Sequence, residues 1–160
     1  MTGKNLFEAA AGIVNACQAL PTVTTGGQPT ANHLRALKEA GAEILLDLRD
    51  PMEQRSYDEP GLARDIGLEY INVPVSSATL NDATLERVLA VYRNAGEKKI
   101  FVHCGSGNRV GATLLPHFMI DLAMEEEDAI EQAMRIGLRS PEMLEWGLDY
   151  ARRNAGGTRS

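Results

Sequence analysis

The sequence predicts a single α/β domain in three layers, with a central, mostly parallel sheet of four to five strands flanked by helices. Short apolar runs alternate along the chain with segments whose apolar residues recur at helical spacing, as in βαβ units. The chain has 160 residues, a length that fits one domain. Without an internal repeat or a linker, one domain is predicted over residues 1–154, with its motif-bearing core at 20–138 and a disordered tail at 155–160.

The first quarter of the chain is predicted to supply two helices around one strand. The first helix is predicted from Leu6 to Ala19, because apolar residues recur there until Pro21 stops the pattern. Residues 22–25 are predicted to form a short edge strand. Thr30 then caps a second helix, which Gly41 ends.

Two buried strands are predicted in the middle of the chain, at residues 43–48 and 68–75. Both are short apolar runs bounded by turn residues. A polar loop at 49–59 and a short helix at 61–66 connect them.

The C-terminal half is predicted to be mostly helical. Asn81 or Asp82 caps a helix that extends to about Asn94, and residues 98–102 form the next strand. Three further helices are predicted at residues 108–123, 126–136 and 141–153.

Composition and charge narrow the classes of function. The formal net charge of −6 argues against a general nucleic-acid binder or a protein that binds anionic membranes, but not against a small anionic substrate. No stretch has transmembrane length, and the N-terminus is too polar for a signal-peptide core, so the cytoplasm is the predicted location. The three histidines, His33, His103 and His117, lack the spacing of a zinc site, and we expect neither a metal nor another cofactor.

The chemistry is predicted to lie at residues 103–111, His-Cys-Gly-Ser-Gly-Asn-Arg-Val-Gly, directly after the apolar run 99–102. A strand that passes through a glycine-rich turn into a helix can aim successive backbone N–H groups into one concavity. Arg109 adds a planar fork of donors that matches a tetrahedral oxyanion. Such positive surroundings favour a thiolate, so Cys104 is a candidate nucleophile, although a cysteine buried for packing alone is the plainer alternative. A bridge between Cys17 and Cys104 is also open and would consume the nucleophile.

These residues resemble the signature of the cysteine-dependent protein tyrosine and dual-specificity phosphatases. Upstream, Gly-Gln-Pro-Thr at 27–30, Leu-Asp-Leu-Arg at 46–49 and Tyr-Ile-Asn-Val-Pro-Val at 70–75 resemble one branch, the bacterial phosphatase-like family DUF442. That family also occurs fused to beta-lactamase-like hydrolases, and the similarity spans roughly residues 20–138.

The resemblance implies a phosphatase-type fold and phosphomonoester hydrolysis through a cysteinyl-phosphate. Cys104 would attack phosphorus, and His103 would orient the loop. The implied phosphate-binding residues are Gly105, Ser106, Gly107, Asn108 and Arg109. The implied partner is a small phosphorylated substrate, phosphotyrosine-like among others, or a phosphoprotein.

Several departures from the wider phosphatase pattern keep alternatives open. Four residues separate Cys104 from Arg109 instead of five, which is also the spacing of rhodanese-type sulfurtransferases that carry a persulfide. Val110 replaces the hydroxyl residue that helps the thiolate leave. The general acid is Asp82, Asp50 or absent, and Asp82 alternatively caps a helix. A catalytically weak phosphate-binding module is therefore a third interpretation.

Overall fold

The computed structural model describes residues 4–155, which form one five-stranded sheet in the order β1-β2-β5-β3-β4. The strands are Cys17–Leu20 (β1), Val23–Gly26 (β2), Ile44–Asp47 (β3), Glu69–Asn72 (β4) and Ile100–His103 (β5). β1 pairs antiparallel with β2, and the other neighbours are parallel. The predicted α/β class and mostly parallel sheet are confirmed.

Helices cover both faces of the sheet. They are Leu6–Ala9 (α1), Ala31–Glu39 (α2), Glu59–Asp65 (α3), Asp82–Asn94 (α4), Asn108–Pro116 (α5), Glu126–Ile136 (α6) and Pro141–Ala155 (α7), with a 3-10 turn at Ser77–Thr79 and a π-helical turn at His117–Asp121. Successive strand side chains point to opposite faces. Leu45 and Phe101 therefore pack with α1 to α3, whereas Leu46 and Val102 pack with α4 to α7. The result is the predicted three-layer arrangement.

The predicted N-terminal helix over Leu6 to Ala19 is wrong beyond its first turn. The helix ends after Ala9, and Gly12 adopts a left-handed conformation with φ of 93°. Leu6, Ala9, Ala10 and Ile13 are buried in the core without a continuous helix, whereas Phe7 and Val14 are exposed. The last residues of the segment form β1. Pairing with β2 supplies hydrogen bonds that a longer helix would have to forgo, so tertiary pairing outweighs local helical spacing.

The same pairing corrects the predicted edge strand. β2 lies between β1 and β5 and is buried along its whole length, so β1 forms that edge of the sheet. The helix predicted at 108–123 is also interrupted. It is α-helical as far as Pro116, after which the chain widens into the π-helical turn. Proline has no N–H to donate, which allows such a change in the hydrogen-bond ladder.

Helix boundaries agree with the predicted caps in two places. The Thr30 side chain accepts a hydrogen bond from the His33 N–H and begins α2 as predicted. For α4 the cap is Asn81, whose side chain accepts from the Thr84 N–H, so Asp82 is the first helical residue. α7 continues through Ala155, and the rest of the predicted tail, 156–160, lies outside the described residues.

The carboxyl ends of the parallel strands meet at one edge of the sheet. The register pairs His103 with Gly26 on one side and with Asp47 on the other, and Asp47 with Asn72. The loops that carry the predicted chemistry therefore leave the sheet side by side, at the edge where open α/β sheets bind ligands. Within the described chain, no helix is both long and apolar enough to cross a bilayer.

Candidate active site

The loop between β5 and α5 curls around the sulfur of Cys104. Cys104 is buried, and the Gly107 N–H donates to its Sγ at 3.1 Å. Gly107 has a φ of 99°, and a Cβ there would lie 2.8 Å from the Ile136 carbonyl oxygen. This position therefore requires glycine for both its backbone conformation and its close packing.

Arg109 extends from the first turn of α5 back over the loop. Its Nη1 donates to Glu53 Oε2 at 2.7 Å and to the Val75 carbonyl at 3.2 Å, and its Nη2 donates to Glu53 Oε1 at 3.1 Å. Burial lowers the pKa of Arg109, but its hydrogen bonds to Glu53 and its electrostatic interaction with Cys104 raise it overall. The guanidinium is thus a permanently charged group beside the sulfur.

Glu53 is a carboxylate that was not among the residues predicted from the sequence. Its hydrogen bond with Arg109 is the main cause that lowers the pKa of Glu53 to about 2. The Asp50 N–H donates to its Oε2 at 2.8 Å, and Arg49 Nε donates to its Oε1 at 3.1 Å. Glu53 therefore stays ionised across the physiological range and orients the guanidinium.

Three segments distant in sequence hold the loop in place. The Gln28 N–H donates to the Gly105 carbonyl at 3.2 Å, and Asn15 Nδ2 donates to the Ser106 carbonyl at 2.7 Å. Asn108 Oδ1 accepts from the Arg139 and Ser140 N–H groups that precede α7. These contacts occupy carbonyl groups on the outside of the loop.

A buried ionic network lies behind the loop, at the strand ends. His103 Nε2 bonds Glu59 Oε2 at 2.5 Å, and His103 Nδ1 lies 3.2 Å from the Cys104 carbonyl oxygen. Arg55 bridges the two buried carboxylates, with Nη1 at 2.7 Å from Glu59 and Nη2 at 2.6 Å from Asp47. His103 thereby connects this network to the backbone of Cys104.

The electrostatic balance of the network keeps the Glu59 carboxylate charged. Burial raises the pKa of Glu59, but the hydrogen bonds from His103 and Gln28 and the charge of Arg55 lower it overall. Burial, followed by the hydrogen bond to Asp47, raises the pKa of Tyr70. The Tyr70 hydroxyl therefore donates to Asp47 Oδ2, at 2.6 Å.

Asp47, Glu59 and His103 also place three potential metal ligands within 4.8 Å of one another. Their oxygens are already engaged, since Arg55 spans both carboxylates and Tyr70 donates to Asp47. A cation would have to displace Arg55. The donor set therefore fits an internal ion-pair network better than a metal centre.

The two carboxylates considered as general acids lie in different surroundings. Asp82 is exposed at the start of α4, where both its oxygens accept from Arg153, and this lowers its pKa. Asp50 lies on the loop that carries Glu53, with its Oδ1 accepting from the Met52 N–H. Asp50 therefore lies next to Glu53, the carboxylate that accepts from Arg109, whereas Asp82 belongs to a surface ion pair.

Ser106 is exposed, and its backbone carbonyl accepts from Asn15. The hydrogen bond to the Cys104 sulfur comes from the Gly107 backbone N–H. Arg49 and Arg55, which follow the β3 strand end, are both largely buried in ion pairs. The signal that could have identified Glu53 and Glu59 is the density of charged residues in the loop 49–59, directly after a strand end.

Comparison with known proteins agrees with this geometry. The family model of a DSP-PTPase phosphatase fused to NAD+ kinase matches residues 13–143. No curated protein matches the chain in sequence.

Solved structures of phosphatase-like proteins share the fold. The DUF442 protein of Shewanella putrefaciens CN-32 superposes with a TM-score of 0.81 at 20% identity, over 92% of this chain and 98% of that one. PTPMT1 superposes with a TM-score of 0.73 at 19% identity, over 89% of this chain and 98% of that one. TpbA of P. aeruginosa superposes with a TM-score of 0.71 at 17% identity, over 91% of this chain and 89% of that one. The family model spans most of the chain and includes the Cys104 loop, Arg109 and the Gly-Gln-Pro element. The chain therefore belongs to this DSP-PTPase family and, with it, to the cysteine-dependent phosphatase superfamily that its sequence resembles.

Proposed function

We propose that the chain hydrolyses phosphomonoesters through a covalent cysteinyl-phosphate, with Cys104 as the nucleophile. The observation that carries the proposal is the position of its sulfur. Sγ accepts the Gly107 N–H at 3.1 Å, at the base of a loop that Arg109 closes. Backbone donors and a guanidinium around a sulfur stabilise a thiolate and can bind the oxygens of a phosphoryl group.

In the first step the Cys104 thiolate attacks phosphorus, an S–P bond forms and the ester P–O bond breaks. Negative charge on the equatorial oxygens is stabilised by the backbone N–H groups of residues 105–109 and by the Arg109 guanidinium. Donors aimed in advance at such charge contribute about 10²–10³-fold in rate each. Glu53 holds Arg109 through Nη1 and Nη2, and its contribution is to orient the fork.

The leaving oxygen needs a proton, for which Asp82 and Asp50 are the two candidates. The location of Asp50 beside Glu53 favours Asp50, whereas Asp82 would first have to leave Arg153. We expect the Asp→Asn change of the true acid to lower kcat by about 10²-fold or more for alkyl phosphates, and less for nitrophenyl phosphate. It should also remove the alkaline limb of the pH profile. If neither variant does so, hydrolysis proceeds without a carboxyl acid and is confined to good leaving groups.

In the second step water attacks phosphorus, the S–P bond breaks and inorganic phosphate leaves. Val110, buried in the first turn of α5, offers no hydroxyl to the departing thiolate. Breakdown of the intermediate should therefore limit turnover. Stopped-flow assays with para-nitrophenyl phosphate should show a burst of nitrophenolate that is stoichiometric with enzyme, and a linear onset would contradict slow breakdown.

The proposed substrate is a small phosphorylated molecule or a phosphoprotein of the cytoplasm. Related folds have been solved with such ligands: TpbA with phosphotyrosine and PTPMT1 with PI(5)P. In this chain the acidic net charge of −6 contrasts with the local positive charge of Arg109 at the loop. This contrast favours a substrate that carries its negative charge on the phosphoryl group itself.

The first experiment is para-nitrophenyl phosphate hydrolysis by the wild type and Cys104→Ser under reducing conditions. We expect turnover in the wild type and none in the variant, with a phosphoenzyme trapped by acid quench only in the wild type. Equal rates in the two proteins would refute the proposal. If neither turns over, a sulfur adduct on Cys104 after thiosulfate treatment would indicate sulfur transfer, and phosphate binding alone would indicate a silent binding module.

A further inference from the structure

The Gly-Gln-Pro element contains a side chain that the proposed mechanism has not yet used. The Gln28 amide lies between two ion pairs, partly buried at the end of β2. Its Nε2 donates to Glu59 Oε1 at 2.7 Å and to the Pro29 carbonyl at 2.9 Å, and its Oε1 accepts from Arg49 Nη1 at 2.5 Å. Gln28 is therefore bonded to an anion on one side and to a cation on the other.

On the anionic side, the contacts lead to the nucleophile. Glu59 accepts from Gln28 through Oε1 and bonds His103 through Oε2, and both residues are fully buried. His103 Nδ1 lies 3.2 Å from the Cys104 carbonyl oxygen. Glu59 is therefore connected, through His103, to the backbone of Cys104.

On the cationic side, the contacts lead to the phosphate-binding arginine. Arg49 donates to Gln28 through Nη1 and to Glu53 through Nε, at 3.1 Å. Glu53 in turn accepts from both Nη atoms of Arg109. Gln28 therefore joins two branches of contacts. One branch leads through Glu59 and His103 to Cys104, and the other leads through Arg49 and Glu53 to Arg109. The backbone N–H of Gln28 also donates to the Gly105 carbonyl of the loop.

Only an amide satisfies both neighbours of this position. A carboxylate would accept from Arg49 but repel Glu59, and a cationic side chain would do the reverse. An apolar side chain would leave a buried carboxylate oxygen and a guanidinium N–H each short of one partner, which is costly in a largely buried site. The orientation of the amide follows from the charges on either side of it.

We propose that Gln28 is a positioning residue for the reaction, which keeps the Cys104 backbone and the Arg109 guanidinium in register through the two branches. This inference rests on the proposed phosphatase function. Gln28 acts through Glu59 and His103 on one side and through Arg49 and Glu53 on the other. Loss of the amide would let the Cys104 backbone and the Arg109 guanidinium shift independently of each other.

The first test is Gln28→Met, which retains the length of the side chain and removes its three hydrogen bonds, to Glu59, Arg49 and the Pro29 carbonyl. Misplacement of a reacting group by about 1 Å can cost ~10²-fold, so we expect kcat for para-nitrophenyl phosphate to fall by about 10- to 100-fold. KM should change less, because alignment in the transition state is what is lost. The matched control is Gln18→Met on β1, an exposed position where we expect wild-type kinetics.

A double-mutant cycle separates positioning from a general loss of packing. Gln28→Met and Glu53→Gln break the same series of contacts, so we expect the double variant to be about as slow as the slower single variant. If the two rate losses multiply, the residues act independently and the inference is overturned. Unfolding in urea establishes that each variant is folded.

Gln28→Glu provides a second readout that a merely structural role would not give. The charged and titratable groups around the position are those of Asp47, Arg49, Glu53, Arg55, Tyr57, Glu59 and His103. Two carboxylates that share a site retain one proton to a higher pH than either would alone, and that proton restores the donor toward Glu59. The rate of Gln28→Glu relative to wild type should therefore rise as the pH falls from about 8 to about 5, and a flat ratio would contradict the inference.

Equilibrium binding of tungstate, measured by calorimetry, keeps this inference distinguishable from the proposed function. If the wild type binds tungstate but shows no Cys104-dependent turnover, the proposed function fails and the positioning role is judged on affinity alone. We then expect Gln28→Met to bind tungstate about tenfold more weakly than wild type and Gln18→Met, because Arg109 is no longer held over the loop. Unchanged affinity together with unchanged kcat would overturn the inference.

Discussion

Substitution of Gly27 by alanine should reduce catalysis far more than a neighbouring substitution of similar steric cost. A Cβ on Gly27 would lie 2.5 Å from the Gly105 carbonyl oxygen and 3.2 Å from the Ser106 Cα. These atoms belong to the backbone of the Cys104 loop, so no side chain can rotate away. Relief to an ordinary contact of 3.4 Å requires the two backbones to separate by about 0.9 Å.

The size of the effect follows from that displacement. Overpacking of this kind costs about 1–3 kcal/mol of stability. A shift of nearly 1 Å in a loop that positions reacting groups costs ~10²-fold in rate. We therefore expect kcat/KM for para-nitrophenyl phosphate to fall by about two orders of magnitude, in a protein that is still folded.

Gly26→Ala is the matched control. Its Cβ would lie 2.8 Å from Ile13 Cγ2 and 3.3 Å from Phe101 Cζ, which are side-chain atoms of the core and not of the loop. We expect a comparable loss of unfolding free energy in urea and nearly unchanged kinetics. Full activity in Gly27→Ala, or a loss of activity in both variants in proportion to their loss of stability, would refute this prediction.

Three further predictions concern the residues around the loop. The low pKa of Glu53 stabilises the fold by an amount that is fully present above pH about 4.5 and lost as the pH falls toward about 2. The difference in unfolding free energy between wild type and Glu53→Gln should therefore be constant from pH 8 to 5 and shrink in more acidic urea titrations, and a difference that grew there would be contrary to the assignment. Arg55→Leu leaves two buried carboxylates without their shared cation and should cost about 3–5 kcal/mol by urea unfolding, so a cost below ~1 kcal/mol would count against the network. Asn15→Gly preserves the residue's left-handed backbone and removes only the hydrogen bond to Ser106, so kcat should fall with a stability loss of about 1 kcal/mol, and unaltered kcat would show that the loop does not need this contact.

The loop that holds Cys104 could be predicted from the sequence because its strand, turn and helix are local features. Cys104, Gly107 and Arg109 are contiguous with the strand before them and the helix after them, and the turn requires glycine where it is found. The buried strands were predicted for a similar reason, since short apolar runs have few alternatives inside a three-layer domain. Local pattern and final structure agree in both cases.

Glu53 and Glu59 illustrate what local pattern could not supply. Glu53 lies 56 residues from Arg109 in sequence, and Glu59 lies 44 from His103. Nothing in the loop 49–59 by itself says which of its charges turn inward, because that depends on which strand ends are neighbours. The sheet order, with β5 between β2 and β3, places Gln28, His103 and the loop 49–59 together.

The N-terminal segment makes the same distinction for secondary structure. Its apolar residues do recur at helical spacing, but the pairing of Cys17–Leu20 with β2 ends the helix early. The same pairing places Asn15 against the Cys104 loop. The sequence by itself thus determined the fold class, the buried strands and the loop that holds Cys104 and Arg109, because those depend on neighbours along the chain. Only the tertiary structure decided the partners of Arg109 and His103, the true edge of the sheet and the place of Asp82, because long-range pairing and burial select among local options of similar free energy.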